Sequence, residues 1–210
     1  MSEFISHFAV ALPAVFFVVD PFGVVPIFLA MTAGAAEEKF SDTALRACIV
    51  AAGVLLFFAM FGGFVFKVLG VTLGAFKVAG GILLLITSLD MLRARPSQTR
   101  TSAPERTEAT FKEDVAIVPL AMPLLAGPGS IATVMVLISK GTGIVPLISV
   151  VLSIVLSLTA SYFILRAALM VQRVLKRSGM AILERLFGLI LAAIAVQFMG
   201  EGARDLLQLR

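Results

Sequence analysis

Charge is scarce in this sequence. Asp, Glu, Lys and Arg together supply 14% of the 210 residues, while 60% are hydrophobic. A soluble domain carries about 25% charged residues, and a single soluble core cannot hide this much apolar surface. Soluble enzymes and soluble binding modules are excluded, and a mean hydropathy of +1.05 agrees. The classes left are transporter, channel, membrane enzyme and membrane scaffold. Cysteine and histidine are nearly missing too. The lone Cys48 excludes an intramolecular disulfide, and with the lone His7 it leaves no Cys/His metal site. Catalytic motifs are also lacking. There is no H-E-x-x-H, no G-x-S-x-G and no Gly-rich phosphate loop followed by Lys and Ser/Thr. One deep carboxylate is too few for a carboxylate dyad. The sequence therefore predicts no enzyme, no metal and no cofactor, with protons or Na+ as the ions to which transport would couple. A net charge of +4 without a basic, aromatic-interleaved stripe gives no nucleic-acid partner; the partners expected are the lipid bilayer and a small-molecule substrate.

What is present is a series of apolar runs. At about 20 residues per span, the chain has room for six, placed at 5–31, 47–66, 72–92, 115–138, 144–168 and 185–203. The first, from Phe4 to Met31, is too long for a signal segment and lacks a basic leader, so it reads as a retained span. Glu37 to Asp42 is a polar interruption. Residues 93–114, rich in Ser, Thr, Pro and charge, read as a flexible linker. Six spans put twelve cations, Lys39 and Arg93 to Arg106 among them, on one side and five (Lys67, Lys77, Lys140, Arg204, Arg210) on the other. The positive-inside rule then places the linker in the cytoplasm and both termini outside. The basic stretch Arg166–Arg185 reads as an ordinary positive loop, with an amphipathic surface helix as the alternative.

Shifted by 107 residues, the sequence matches itself: Pro21 falls on Pro128, Gly34 on Gly141, Gly81 on Gly188, Leu84 on Leu191 and Asp90 on Gln197. Each half holds three spans, an odd number, so the halves insert in opposite orientations. The expected fold is an all-α integral membrane protein of six transmembrane helices in two inverted three-helix repeats, 1–92 and 115–210, a layout used by secondary transporters. Gly70 and Gly74 form a small-xxx-small pair for helix packing, and Gly80-Gly81 and Gly62-Gly63 invite the same reading.

Spans 1 and 4 carry the chemistry. Span 1 contains Val19-Asp20-Pro21-Phe22-Gly23-Val24-Val25-Pro26 near its middle, where an aspartate costs about 2.5–3.5 kcal/mol. Pro21 removes a donor, Gly23 adds backbone freedom, and Asp-Pro is a helix start: Asp as N-cap, Pro at the first helical position. Span 4 repeats the pattern with Pro123, Gly127, Pro128, Gly129 and Ser130. Gly127 has no side chain to cap with, so the amides near Gly129 and Ser130 are left to attract an anion. A cation or an ammonium group would sit at Asp20. The pair suits a zwitterion, with Asp20, Pro21, Gly23 and Pro26 at one break and Pro123 to Ser130 at the other. Asp20 as a cap that never meets substrate is the competing reading. Asp90 and Gln197 are weaker accessory positions. Lys77 and Glu184, also 107 apart, read as interface anchors.

These motifs resemble those of the MarC family of bacterial inner-membrane proteins. The run Asp20 to Phe28 resembles the family's opening signature, Pro119 to Ile131 its central one, Phe76 to Leu92 its third span and Arg185 to Phe198 its last. The resemblance implies a multi-pass bacterial inner-membrane protein related to LysE-type exporters, and it suggests transport of small neutral amino acids. A non-transporting membrane scaffold or lipid-handling partner, and a channel, are the competing functions.

Overall fold

The computed structural model describes residues 2–32, 37–93, 116–141 and 143–208. Among them the regular elements are all helical: α1 (Ser2–Val19), α2 (Pro21–Met31), α3 (Glu37–Leu69), α4 (Leu73–Leu92), a π-helical segment (Ala116–Leu125), α5 (Pro128–Ser139), α6 (Val145–Arg166) and α7 (Ala168–Gln208). Five stretches are long and apolar enough to cross a membrane: Glu3–Met31, Phe40–Leu69, Leu73–Leu92, Val145–Arg166 and Ser178–Leu207. Pro128–Ser139 is a shorter apolar helix. Apart from Arg93, which caps α4, the linker expected over 93–114 lies outside the described residues.

Two expectations need correction. The polar run Glu37 to Asp42 is the first turn and a half of α3 rather than a break before it. Glu, Lys and Ala are good helix formers, and Asp42 pairs with Arg46 one turn later at 2.9 Å, both exposed; such a pair adds a few tenths of a kcal/mol at most. The basic stretch Arg166–Arg185 is helical rather than a loop. It is interrupted at Ala167, the turn between α6 and α7, and at Lys176, at φ 53° and ψ −176°. Gly179 is its only glycine and it has no proline, so nothing in it stops a helix cleanly.

The helices pack in two groups. Val15, Val24, Phe28, Leu55, Leu124 and Ile154 belong to a core shared by α1, α2, α3, the π-helical segment and α6. A smaller cluster joins Val18, Leu84, Val136, Leu191, Ala195 and Phe198 across α1, α4, α5 and α7. The outward surface is apolar, with Phe57, Phe64, Leu69, Phe163 and Leu189 all exposed. In lipid that exposure is solvation, and helix association has to come from close packing.

Glycine sets that packing where α4 meets its neighbours. A Cβ on Gly80 would lie 2.5 Å from Ala132 Cβ of α5, and one on Gly81 would lie 2.8 Å from the Ala195 carbonyl and 2.6 Å from Met199 Cγ of α7. The contact is reciprocal. A Cβ on Gly188 of α7 would lie 3.0 Å from the Ser88 carbonyl and 3.3 Å from Leu92 Cγ of α4. Gly81, Ser88 and Leu92 stand 107 residues before Gly188, Ala195 and Met199, so the same pair of contacts is made twice with the roles exchanged. Gly70 plays a different part from the one expected. At φ 66° it ends α3, with the Val71 amide donating back to the Phe66 carbonyl at 3.0 Å, while Gly74 does pack, against Gly202 and Asp205. Gly63 meets nothing.

Gly81→Ala is expected to lower the unfolding midpoint in detergent, at a cost of about 1–3 kcal/mol for overpacking. Gly188→Ala should cost less. Gly53→Ala, in open space on α3, should raise stability by up to about 1 kcal/mol. Equal effects at Gly81 and Gly53 would contradict the packing described.

Candidate functional site

The first break is built as the sequence predicts. Asp20 separates α1 from α2 in the left-handed region, at φ 48° and ψ 62°, and its Oδ1 accepts from the Gly23 amide at 3.1 Å. The Asp20 amide still donates to the Phe16 carbonyl at 3.0 Å, so the helix turns sharply without coming apart. Pro21 has no N–H, which leaves the Phe17 carbonyl without its helical donor. Asp20 is 1% exposed, and Pro21 is buried beside it. Gly23 is required for space rather than for backbone freedom. Its φ lies outside the positive range, and a Cβ there would strike the Asp20 carboxylate. Pro26, one turn on, is exposed. Phe16, Phe22 and Phe187 stack edge to face around the break, with Phe22 and Phe187 centroids 5.9 Å apart.

The second break is made differently. The π-helical segment, which contains Pro123, is wound more widely, and the Ala126 amide reaches back five residues to Ala121 at 3.0 Å. A π turn holds one extra residue and leaves α-type donors unmatched. Gly127 then caps α5 in ordinary extended geometry, φ −74° and ψ 171°, with no side-chain hydrogen bond, and Pro128 takes the first helical position. The first helical bond runs from the Ile131 amide to the Gly127 carbonyl at 3.1 Å. Pro128 has no amide, so Gly129 and Ser130 carry the donors that a capping side chain would have met. Gly127 and Ser130 are buried, Gly129 half-buried and Pro128 exposed.

Ser130 joins the two breaks. Its hydroxyl lies 3.1 Å from the Leu125 carbonyl and 3.5 Å from the Val18 carbonyl. Val18 and Leu125 stand 107 residues apart, so this hydroxyl sits between equivalent carbonyls of the two interrupted helices. A Cβ on Gly129 would meet Leu84 Cδ2 at 2.8 Å and Val18 Cγ1 at 3.9 Å, which brings α4 to the same point. Gly129 and Ser130 of the second break thus lie against Val18, two residues before Asp20 of the first, while Pro26 and Pro128 are exposed.

Of the accessory positions, Asp90 is half-buried two residues from the end of α4. Gln197 is exposed and donates to Glu201 Oε1 at 2.8 Å. Glu201 also takes Lys140 Nζ at 2.9 Å, and Lys77 Nζ lies 2.8 Å from Asp205 Oδ2 and 3.9 Å from Glu201 Oε2. This network ties α4, α5 and α7 together at the cation-poor end of the bundle. Sequence reading singled out Lys77 and missed its partners. The signal was there: Glu201 and Asp205 are four apart, on one helix face.

Capping makes a direct test. Asp20→Ala loses the side-chain acceptor and puts a poor residue in the left-handed region, so it should cost about 1–2 kcal/mol. Asp20→Asn should stay within a few tenths of wild type and Asp20→Gly close behind, read as unfolding midpoints in detergent. Asp20→Ala as stable as Asp20→Asn would contradict the cap.

The comparisons with known proteins agree with the architecture. Residues 3–207 match the MarC family, described as integral membrane proteins. A UPF0056 membrane protein of Methanocaldococcus jannaschii is 41% identical over 204 residues, covering 97% of this chain and 98% of its own. The UPF0056 membrane protein YvbG of Bacillus subtilis is 33% identical over 98% of this chain and 97% of its own, and YhcE of Escherichia coli 28% identical over 91% and 89%. No solved structure matches. With nearly its whole length matched, the chain belongs to the MarC family of multi-pass integral membrane proteins.

Proposed function

We propose that this protein is a secondary transporter that exports or exchanges small neutral amino acids by alternating access. The observation that carries the reading is the unequal capping of the two breaks: α2 is capped by the Asp20 carboxylate, whereas α5 has no side-chain cap at all. An uncapped helix N-terminus in a low-dielectric setting attracts an anion, and half-helix N-termini meet anionic substrate groups in several transporter folds. The substrate carboxylate is held at Gly127, Gly129 and Ser130. Asp20 receives the ammonium group, or a coupling proton or Na+. The solute is moved and not chemically changed, and no cofactor takes part.

Two further observations support six spans in two inverted repeats, with spans 1 and 4 broken near the midplane. The reciprocal contacts of Gly81 and Gly188 relate α4 to α7 by an approximate two-fold. The first turns of α1 and the last turns of α7 also meet at one end of the bundle. His7 of α1 and Lys140 of α5 line one cavity, and Lys140 pairs with Glu201 near the end of α7. Five crossings would put these turns on opposite sides, which favours the π-helical segment with α5 as a sixth. With the cation-poor end outside, both termini are periplasmic and the linker 93–114 is cytoplasmic in a bacterial inner membrane.

Reconstituted protein should show saturable counterflow of labelled alanine and glycine. Asp20→Asn should lower the rate at least tenfold while the fold is kept. Gly127→Ser, which supplies the missing cap, should change stability by only a few tenths of a kcal/mol and raise KM. Absence of counterflow for every neutral amino acid, or wild-type transport by both variants, would overturn the reading.

A further inference from the structure

Apart from Ser130 at the second break, the buried hydroxyls among the described residues follow one pattern with two exceptions. Ser149, Ser153 and Ser161, members of a row of serines spaced by four along α6, each donate to the carbonyl four residues back at 2.7–2.8 Å. Thr32, Ser88 and Ser139 likewise donate to carbonyls of their own helices. This back-bonding is the usual way to satisfy a hydroxyl in an apolar helix bundle. Ser157, in the same row of α6, and Thr133 of α5 do not use it. Ser157 is 1% exposed and Thr133 0%, and neither Oγ has a hydrogen-bond partner among the described residues. A buried hydroxyl left unpaired is costly, and local carbonyls of the kind used by their neighbours were available to both.

Counting along the helices places both near the depth of the first break. At the cation-poor end a cavity of about 250 Å³ lies between α1, α5 and α6, lined by Ser6, His7, Lys140 and Ser149 with Ala11, Leu137 and Val150 below. From Ser149, Ser157 lies eight residues further along α6; from Ala11, Val18 lies seven further along α1. Both helices start at the cavity, so each descends about 10–12 Å at 1.5 Å per residue to the depth of the first break. On α5 the residues Ser130, Thr133 and Leu137 share a face, which runs from the Val18 carbonyl at Ser130 to Leu137 in the cavity wall. The Thr133 Cα–Cβ bond tilts toward the N-terminus of its helix, that is, toward the Gly129 and Ser130 amides.

We propose that Thr133 and Ser157 are solute ligands, and that the solute reaches them from the cavity at His7 and Lys140 by parting α1 from α5 and α6. Ala11, Leu137 and Val150 close this route in the conformation described. A hydroxyl can donate to a carboxylate and accept from an ammonium group, so the pair suits the amino acid assigned above, and the proposal rests on that reading. Thr133 extends the carboxylate end at the α5 N-terminus. Ser157 adds a contact from α6, which neither break supplies.

The test has two arms. In counterflow of labelled alanine, Thr133→Val and Ser157→Ala should each raise KM about tenfold, the effect of losing one hydrogen bond to a charged group. Their unfolding midpoints should stay equal to wild type or rise, because each change removes an unpaired hydroxyl. Unchanged KM in a transporting protein would overturn this inference and leave the transporter reading intact. The second arm does not need transport. In a Cys48→Ala background, Thr133→Cys and Ser157→Cys should react with a small water-soluble methanethiosulfonate, and alanine should slow the reaction. Val134→Cys, on the adjoining apolar face, should react far more slowly. Labelling at 133 and 157 as slow as at 134, or unaffected by alanine, overturns the proposal. Labelling slowed by alanine without any counterflow removes the transporter reading and keeps the binding site.

Discussion

A backbone amide or carbonyl inside a bilayer has no water to turn to, and the rest of this structure depends on how that constraint is met at two places. An unbroken helix meets it internally. Here Asp20-Pro21 and Gly127-Pro128 interrupt helices in apolar stretches, and each interruption releases polar groups that must be satisfied by something else. At the first, the Asp20 carboxylate takes the Gly23 amide. At the second, the Ser130 hydroxyl takes the Leu125 carbonyl and approaches that of Val18, while the α5 amides have no side-chain cap. The buried position of Asp20, the absence of a side chain at Gly23 and the close approach of α4 at Gly129 all follow from keeping these groups away from lipid.

Packing serves the same end. Lipid gives no hydrophobic reason for two helices to associate, so α4 is held against α5 and α7 by glycines that bring backbones together. Gly81 and Gly188 make matching contacts in exchanged roles beside the small cluster around Leu84 and Leu191. The ion pairs of Lys77 and Lys140 fasten α4, α5 and α7 at the cation-poor end, and Phe16, Phe22 and Phe187 close the other flank of the first break.

Much of this was legible in the sequence because the membrane leaves few choices. Asp-Pro in an apolar run has to be a cap, and Asp20 is one. Gly-Pro-Gly-Ser has to start a helix, and α5 starts there. The all-helical class followed from composition. What escaped had identifiable causes. The roles of Gly23 and Gly70 were misassigned because glycine's two uses, room and positive φ, look alike in one dimension. The start of α3 and the basic stretch before Ser178 were read as non-helical because charge was taken as a boundary, whereas charge ends the membrane and not the helix. Glu201 and Asp205 went unnoticed since their partners are on other helices. Nothing in the sequence separates Ser157 from Ser149, Ser153 and Ser161. Only the hydrogen bonds do.

The central claim is that the bare N-terminus of α5 holds the carboxylate of an amino acid. Amide nitrogen and proton shifts of Gly129 and Ser130, measured by solid-state nuclear magnetic resonance on protein in lipid, report on it directly. Addition of alanine should move both amides downfield, as new acceptors arrive. Alaninol, which keeps the ammonium group and lacks the carboxylate, should leave them where they were. Amide shifts at 129 and 130 unchanged by saturating alanine, or moved equally by alaninol, would contradict the account.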